Sequence, residues 1–400
     1  MNIRQYFYIY IYGFILMLAS GMVLPIFPLF SKTLTESYFL IGLVSSVFWI
    51  ARLIFEVPAG HIADVISKRV LMLLGISISG LSLCSTALAA DIFQIMALRP
   101  INAIGSVLFF LSSLSYIAES APEEIRGKCI SILQAVEFGT LSVAAPLGGY
   151  LASLVGYRAT FFLNGLILLL GSLILIFIPF KEISPSKDGI NTSHFSKDMY
   201  KGFLRMLYKK EVFIANIAIL SIQFPESLAM LMVPLYAREV MKLGEAQIGL
   251  IMAPRGLGVA IGTLIGGVLF DKYPKAYSLT YFFAFALVDF SIGSFILAEN
   301  PLSLSLLLCL ISVAYGIAYS ITPSVVAFSL KGKSSLGVAM GVWRTFFDLG
   351  GTVSPSILSS IAEVMGLRYP FFMMLYLACI ICVLMVLSFS YEKFIAKKKE

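Results

Sequence analysis

The sequence predicts an all-α polytopic membrane protein, with twelve transmembrane helices arranged as two six-helix pseudo-symmetric halves. Three observations carry this. Hydrophobic residues make up 59% of the 400 residues and charged residues only 13%, about half the charged share of a soluble domain. Apolar runs of bilayer-spanning length recur with short polar breaks between them, and roughly 20 helical residues suffice to cross the hydrocarbon core. The second part of the chain also repeats motifs of the first at a nearly constant offset.

The apolar runs fall at 5–30, 38–61, 69–90, 92–118, 128–154, 159–180, 211–237, 246–270, 276–298, 301–330, 335–363 and 369–391. They are continuously apolar and lack the period-2 alternation of a membrane barrel, so helices are expected. The first run is too long for the apolar core of a signal peptide and is expected to be the first span. If the N-terminus is cytoplasmic, 20 of the 29 Lys and Arg fall in cytoplasmic segments. Five fall in external loops (Lys32, Arg158, Arg238, Lys242, Arg368) and four within spans. That bias places both termini in the cytoplasm and the chain in the plasma membrane as a multi-pass protein.

The net charge of +7 is dispersed along cytoplasmic helix ends and the 397–399 lysines. Membrane orientation and anionic lipid account for it without nucleic acid. Cys84, Cys129, Cys309, Cys379 and Cys382 lie in or beside apolar spans, where buried free thiols are expected. His61 and His194 stand alone, so no metal site is expected. No P-loop, GxGxxG or HExxH is present, which removes the usual signatures of ATP, dinucleotide and zinc-peptidase chemistry. The chain is expected to be no enzyme and to need no cofactor, with a proton gradient as its energy source.

The repeat is spread over the whole length. PLF at 28–30 returns as PLY at 234–236, and IGL at 41–43 returns at 248–250. GYRATFF at 156–162 returns as GLRYPFF at 366–372, and Pro146 answers Pro355. GHIADVISKR at 60–69 is answered by GVLFDKYPK at 267–275, so Gly60, Asp64 and Lys68 match Gly267, Asp271 and Lys275. Six spans per half is an even number, so the halves share one orientation and a substrate path is expected between them. The organisation predicted is a six-helix bundle at 1–180, a cytoplasmic linker with an amphipathic helix at 181–210, and a second bundle with a short basic tail at 211–400.

On these residues the chain resembles the major facilitator superfamily. GHIADVISKR resembles that family's G-x-x-x-D-x-x-x-[KR]-[KR] loop, with Gly60, Asp64, Lys68 and Arg69 in place and a partial second copy at Gly267, Asp271 and Lys275. Arg99 and Gly105 resemble the R-x-x-Q-G-x-G element of its fourth helix, with Asn102 standing for Gln. The segment around Pro146, Gly148 and Gly149 is similar to the fifth-helix motif of its 12-span drug:proton antiporters. The resemblance implies alternating access, with these loop residues forming a gate on the cytoplasmic side and helices 5 and 8 lying between the halves. It also implies that Asp64, just past the end of span 2, is compensated from span 11 when that gate closes.

Charges within spans cost at least about 2.5–3.5 kcal/mol each at mid-bilayer, so they are expected to face the protein interior or a watery cavity. Arg52 with Glu56, and Arg344 with Asp348, stand at i,i+4 spacing where ion pairs form. Glu137, Glu226, Asp348 and Glu56 are the candidates for proton coupling, since a carboxyl group withdrawn from water can load and release a proton as a site changes faces. Glu226 and Glu137 are preferred, with Asp348 expected to be neutralised by Arg344. Arg99, Asn102, Arg255 and Arg344 are candidates for contact with the substrate. Gly258, Gly262 and Gly266 make a GxxxGxxxG face for close helix packing. The expected function is secondary active transport, proton-coupled efflux of amphipathic or drug-like small molecules. The alternative is a proton-coupled uptake symporter for a small polar or anionic metabolite. The expected partners are a small-molecule substrate and the lipid bilayer, and the chain is expected to act as a monomer.

Overall fold

Residues 4–177, 210–272, 300–329 and 336–374 are described by the computed structural model, and their regular structure is helical without a strand. Span 9, all but the first residues of span 12, the linker up to residue 209, Lys275, His194, Cys379 and Cys382 lie outside the described residues. In chain order the helices are α1 (Arg4–Val23), α2 (Phe27–Lys32), α3 (Tyr38–Val65), α4 (Lys68–Leu88), α5 (Ile92–Ser120), α6 (Glu123–Ile176), α7 (Lys210–Ser221), α8 (Gln223–Ser227), α9 (Val233–Glu239), α10 (Glu245–Met252), α11 (Pro254–Lys272), α12 (Pro301–Ser329) and α13 (Leu336–Met365). A π-helical turn, Leu228–Met232, joins α8 to α9. Among these residues eight stretches are long and apolar enough to cross a membrane. The longest, Ile132–Ile174, holds two crossings, because Gly156 turns the chain at φ 80°.

Four of the repeated motifs have structural counterparts among the described residues. Gly156 and Gly366 both stand at positive φ, 80° and 102°, where a Cβ is strained, so both turns call for glycine. Pro28 and Pro234 each stand in the first turn of a short helix, α2 and α9, which continues a broken span; a proline there forgoes an N–H that the first turn cannot use. Gly42 crosses α13 against the Pro355 carbonyl, where a Cβ would lie 2.6 Å from the oxygen. Gly249 crosses α6 against the Ala145 carbonyl at the same 2.6 Å. The two crossings are thus built alike, from repeat-equivalent glycines and the backbones beside Pro355 and Pro146.

One apolar core is drawn wholly from residues 6–168 and another wholly from 212–347. A third joins Leu29, Ile41 and Ala145 to residues between Leu228 and Met374. The halves therefore meet along two helix pairs, α3 against α13 and α6 against α10 and α11.

One sequence expectation is corrected here. Span 2 does not end at residue 61; α3 runs to Val65, so Asp64 belongs to its last turn and only Ile66 and Ser67 separate it from α4. The segment GHIADV is short of turn residues beyond its glycine, and the helix continues until Ile66 turns extended. The Gly258, Gly262 and Gly266 face makes a close helix contact of the kind expected of it. It packs on α12, against Cys309 and Ser312, Val313 and Gly316, and Ile317 and Ser320. Contact with α6 falls to Gly249 and Gly256, Gly256 lying against Phe138 and Ser142. Residue 258 follows 256 by about 200° around a helix, so the two glycine sets occupy opposite faces.

Candidate functional site

The α3/α13 contact is an antiparallel zipper whose steps can be followed one turn at a time. At its first end the Tyr38 N–H donates to Glu363 Oε2 at 2.6 Å. Gly42 then meets Ser359 and Pro355, Ser46 and Ser356 share a hydrogen bond of 2.7 Å, and Trp49 lies edge-on to Phe347 at 5.7 Å. The last steps are charged: Arg52 faces Asp348, and Glu56 faces Arg344. One turn further, Gly60 and Gly341 have no described atom within 4 Å of where a Cβ would stand. From Tyr38 to Glu56 the zipper is about 27 Å long, at 1.5 Å per residue.

The charged step stands near the midpoints of its helices. Arg52 donates to Glu56 Oε1 at 2.7 Å, and Arg344 Nε donates to the same oxygen at 3.1 Å. The Arg52–Glu56 pair expected from helical spacing is therefore present, and Arg344 bridges to it from the other half. Arg344 does not close the expected i,i+4 pair with Asp348, because its guanidinium turns across the interface to Glu56. Asp348 is fully buried, and neither of its oxygens accepts a hydrogen bond. Its nearest cation is Arg52, with Nε 3.7 Å away. The Glu56 carboxyl lies beside it, close enough for a hydrogen bond when one of the two carries a proton. Glu137 on α6 lies within electrostatic reach of the same two arginines but makes no ion pair or hydrogen bond with them among the described residues. The group thus holds three carboxyls and two guanidiniums.

Aromatic side chains that sequence reasoning did not single out wall this group. Tyr319 stacks on Tyr315 at 5.9 Å and meets Phe138, Trp343 and Phe347 edge-on. Arg344 lies over the Phe347 ring at 5.0 Å. The signal was available as i,i+4 aromatic pairs, 315 with 319 and 343 with 347, the second flanking Arg344.

Glu226 and Arg255 form a separate site within the second half. They are ion-paired, and each stands beside a break in its helix. Glu226 precedes the π turn, and Arg255 follows the α10/α11 break at Ala253. Such π turns often mark functional positions. Arg99 lies apart from both groups, between the rings of Phe27 and Phe48 at 4.2 and 4.6 Å. Asn102 follows it by three residues on α5.

The loop residues divide into two sets. Lys68, buried in its first turn, pairs with Glu119 at 2.9 Å, and Arg69 donates to the Ile176 carbonyl at 2.5 Å; both contacts stay within the first half. Gly60 and Gly267 have open space around them among the described residues, and Asp271 is exposed at the end of α11. At the opposite end the halves are tied together. Tyr38 donates its hydroxyl to Glu239 at 2.5 Å, Tyr157 donates to Glu245 at 2.8 Å, and Glu363 accepts from the α3 N-terminus. Gly149 lies against Gly249, and Gly148 lies against the backbone of Met22 within the first half. These tyrosines and glutamates were not legible in advance, since their partners lie 88 to 325 residues apart.

The family model described as Major Facilitator Superfamily matches residues 9–331 and again residues 215–400. An uncharacterised MFS-type transporter of Methanocaldococcus jannaschii is 23% identical over 368 residues, covering 91% of this chain and 92% of that one. The quinolone resistance protein NorA of Staphylococcus aureus is 23% identical over 368 residues, 90% of each chain. In structure the chain is similar to a bacterial homologue of the human lysosomal transporter Spinster, in an inward-facing and unoccupied conformation. That match has a TM-score of 0.74 at 15% identity, over 96% of this chain and 94% of that one. It is also similar to a mutant of the nucleoside transporter NupG, with a TM-score of 0.76 at 14% identity over 96% and 99%.

Proposed function

Because the chain belongs to the Major Facilitator Superfamily, and so is a membrane transporter, we propose that it works by proton-coupled alternating access and exports amphipathic or drug-like small molecules. The observation that carries the coupling is the charged step of the zipper. Two guanidiniums and three carboxyls leave one negative charge without a counter-ion. Asp348 is fully buried with no donor to either oxygen among the described residues, and a buried carboxylate without hydrogen bonds is costly. A proton shared between Asp348 and Glu56 balances the charge and supplies the missing hydrogen bond. Both acids stand on the α3/α13 seam, so loading and unloading that proton bears on whether the halves stay together. We therefore assign the coupling proton to the Glu56–Asp348 pair, with Glu137 as its route to the space between the halves. Glu226, preferred on sequence alone, is engaged with Arg255.

The basic loops argue that the zipped end is external. On that orientation the conformation is open to the cytoplasm. Gly60, Asp64, Gly267, Asp271 and Lys275 are then contacts of the other state, made when the cytoplasmic end closes. Likeness to the quinolone resistance protein supports export. A second reading, uptake of a small polar or anionic metabolite with protons, draws support from Arg99, which has no ion pair among the described residues. We place the chain in the plasma membrane with both termini cytoplasmic, acting as a monomer.

The test is proton flux driven by an amphiphile library in proteoliposomes, comparing wild type with Asp348→Asn, Glu56→Gln, Glu137→Gln and Glu226→Gln. Loss of proton movement in the first two variants, with substrate exchange retained, is the expected result. Wild-type proton flux in both would refute the assignment. In everted membrane vesicles with an acidic lumen, an exporter accumulates the substrate and an uptake symporter does not.

A further inference from the structure

We infer that Arg99 is the anion-recognising residue of the transport cavity, and that the transported molecule carries a carboxylate beside its apolar body. The four arginines within the spans differ in one respect. Arg52, Arg255 and Arg344 each face a carboxylate, whereas among the described residues Arg99 has no ion pair and no hydrogen bond, and its Nε is buried without a partner. Among the described residues its guanidinium contacts are the Phe27 and Phe48 rings, at 4.2 and 4.6 Å. Aromatic rings attract the cation through their electron-rich faces and accept no conventional hydrogen bond, so they leave the fork of N–H donors without a protein acceptor among the described residues. A planar oxyanion is the group that fork matches.

The position on α5 directs that fork inward. Phe93, Gln94, Ala97 and Ile101 form the exposed side of the helix, and Arg99 stands about 200° from both Ala97 and Ile101. Asn102 and Ser106 follow on the same face at three and seven residues, and Ser106 accepts from Arg52 of the charged step at 3.4 Å. Arg99 is therefore about 10 Å along the helix from the proton site, one end of a polar track whose other end has surplus acid. An amphipathic molecule docked with its carboxylate on Arg99 lies with its body along that track, between aromatic walls.

The inference rests on the transporter reading but not on its direction. The probes are dansylglycine and its methyl ester, which differ in one charge, measured by fluorescence enhancement on the purified full-length protein in detergent. Wild type is expected to bind the acid at least about tenfold more tightly than the ester, the scale of one charge-assisted hydrogen-bond pair. Arg99→Gln is expected to remove that preference while leaving ester affinity unchanged, and Arg99→Lys to retain part of it. Unchanged ester affinity shows that the variant is folded. Equal binding of acid and ester by wild type, or an acid preference that survives in Arg99→Gln, overturns the inference while leaving the amphiphile reading intact. Displacement of the acid by chloride at equal concentration assigns the site to an inorganic anion and also overturns it. Binding of neither probe counts against the amphiphile reading and the anion site together.

Discussion

Removing the hydroxyls of Tyr38 and Tyr157 tests whether the contacts at the zipped end hold that end shut. Each hydroxyl donates from the first half to a glutamate of the second, Glu239 at 2.5 Å and Glu245 at 2.8 Å. A hydrogen bond to a charged group contributes about 1.5–3 kcal/mol. Both pairs are only partly buried and regain water when the end opens, so about 1 kcal/mol each is the better figure for the difference between states. Tyr38→Phe with Tyr157→Phe then shifts the equilibrium by about 2 kcal/mol, roughly 30-fold towards the state open at that end. The packing of the rings is kept. Spin labels on Thr33→Cys and Val240→Cys, both exposed beside this end, report the separation by pulsed dipolar spectroscopy on a background without the native cysteines. A rise of about 30-fold in the ratio of long to short distances is expected. A ratio that moves less than about threefold would show that glycine packing alone closes this end.

The two glycine faces predict different phenotypes. Gly149→Val places bulk against Gly249, on the seam between halves, and should lengthen the same label distance with little change in Tm. Gly262→Val strikes the Val313 and Gly316 backbone within one half and should lower Tm, since overpacking costs about 1–3 kcal/mol. Glu119→Leu strands the buried Lys68 and should destabilise the fold, whereas adding Lys68→Met should recover part of the loss, as expected when the charge left behind is the buried one. Asp91 caps α5 by accepting from the Gln94 N–H at 2.9 Å; Asp91→Ala should cost about 1 kcal/mol in thermal unfolding and leave transport unchanged.

What the sequence made legible was the part of the molecule that is built twice. The prolines of α2 and α9, the glycines of the 156 and 366 turns and the crossing glycines Gly42 and Gly249 all came out as repeated motifs, because each half needs the same backbone geometry and few residues supply it. Helical spans and the mid-span charges followed from hydropathy. Partners did not. Whether Arg344 turns to Asp348 on its own helix or to Glu56 across the seam depends on side-chain direction at a tertiary interface, which i,i+4 spacing does not encode. The GxxxGxxxG face met the same limit, since the motif announces a close contact and not the neighbour that makes it. Asp64 was placed outside its helix because a glycine and a polar run read as a turn, while the backbone continues for one more turn.

The charged step itself is not duplicated, and that bears on mechanism. At the repeat offset of the crossing glycines, Arg52 and Glu56 correspond to Val259 and Thr263, and at the offset of the prolines, Arg344 and Asp348 correspond to Ala135 and Gly139. The α6/α11 seam therefore has the architecture of the α3/α13 seam without charges at the equivalent positions. A symmetric fold can rock about its axis with two equivalent seams, but a proton can bias that motion only where a titratable group stands on one of them. Transferring the step predicts the consequence. Arg344→Ala removes the bridge from Glu56 and leaves three carboxyls facing one guanidinium, so the seam should hold more than one proton or part. Proton-to-substrate stoichiometry in proteoliposomes would rise, or the α3/α13 separation reported by labels would lengthen. A variant with wild-type stoichiometry and wild-type separation would show that the asymmetry of charge is incidental to coupling.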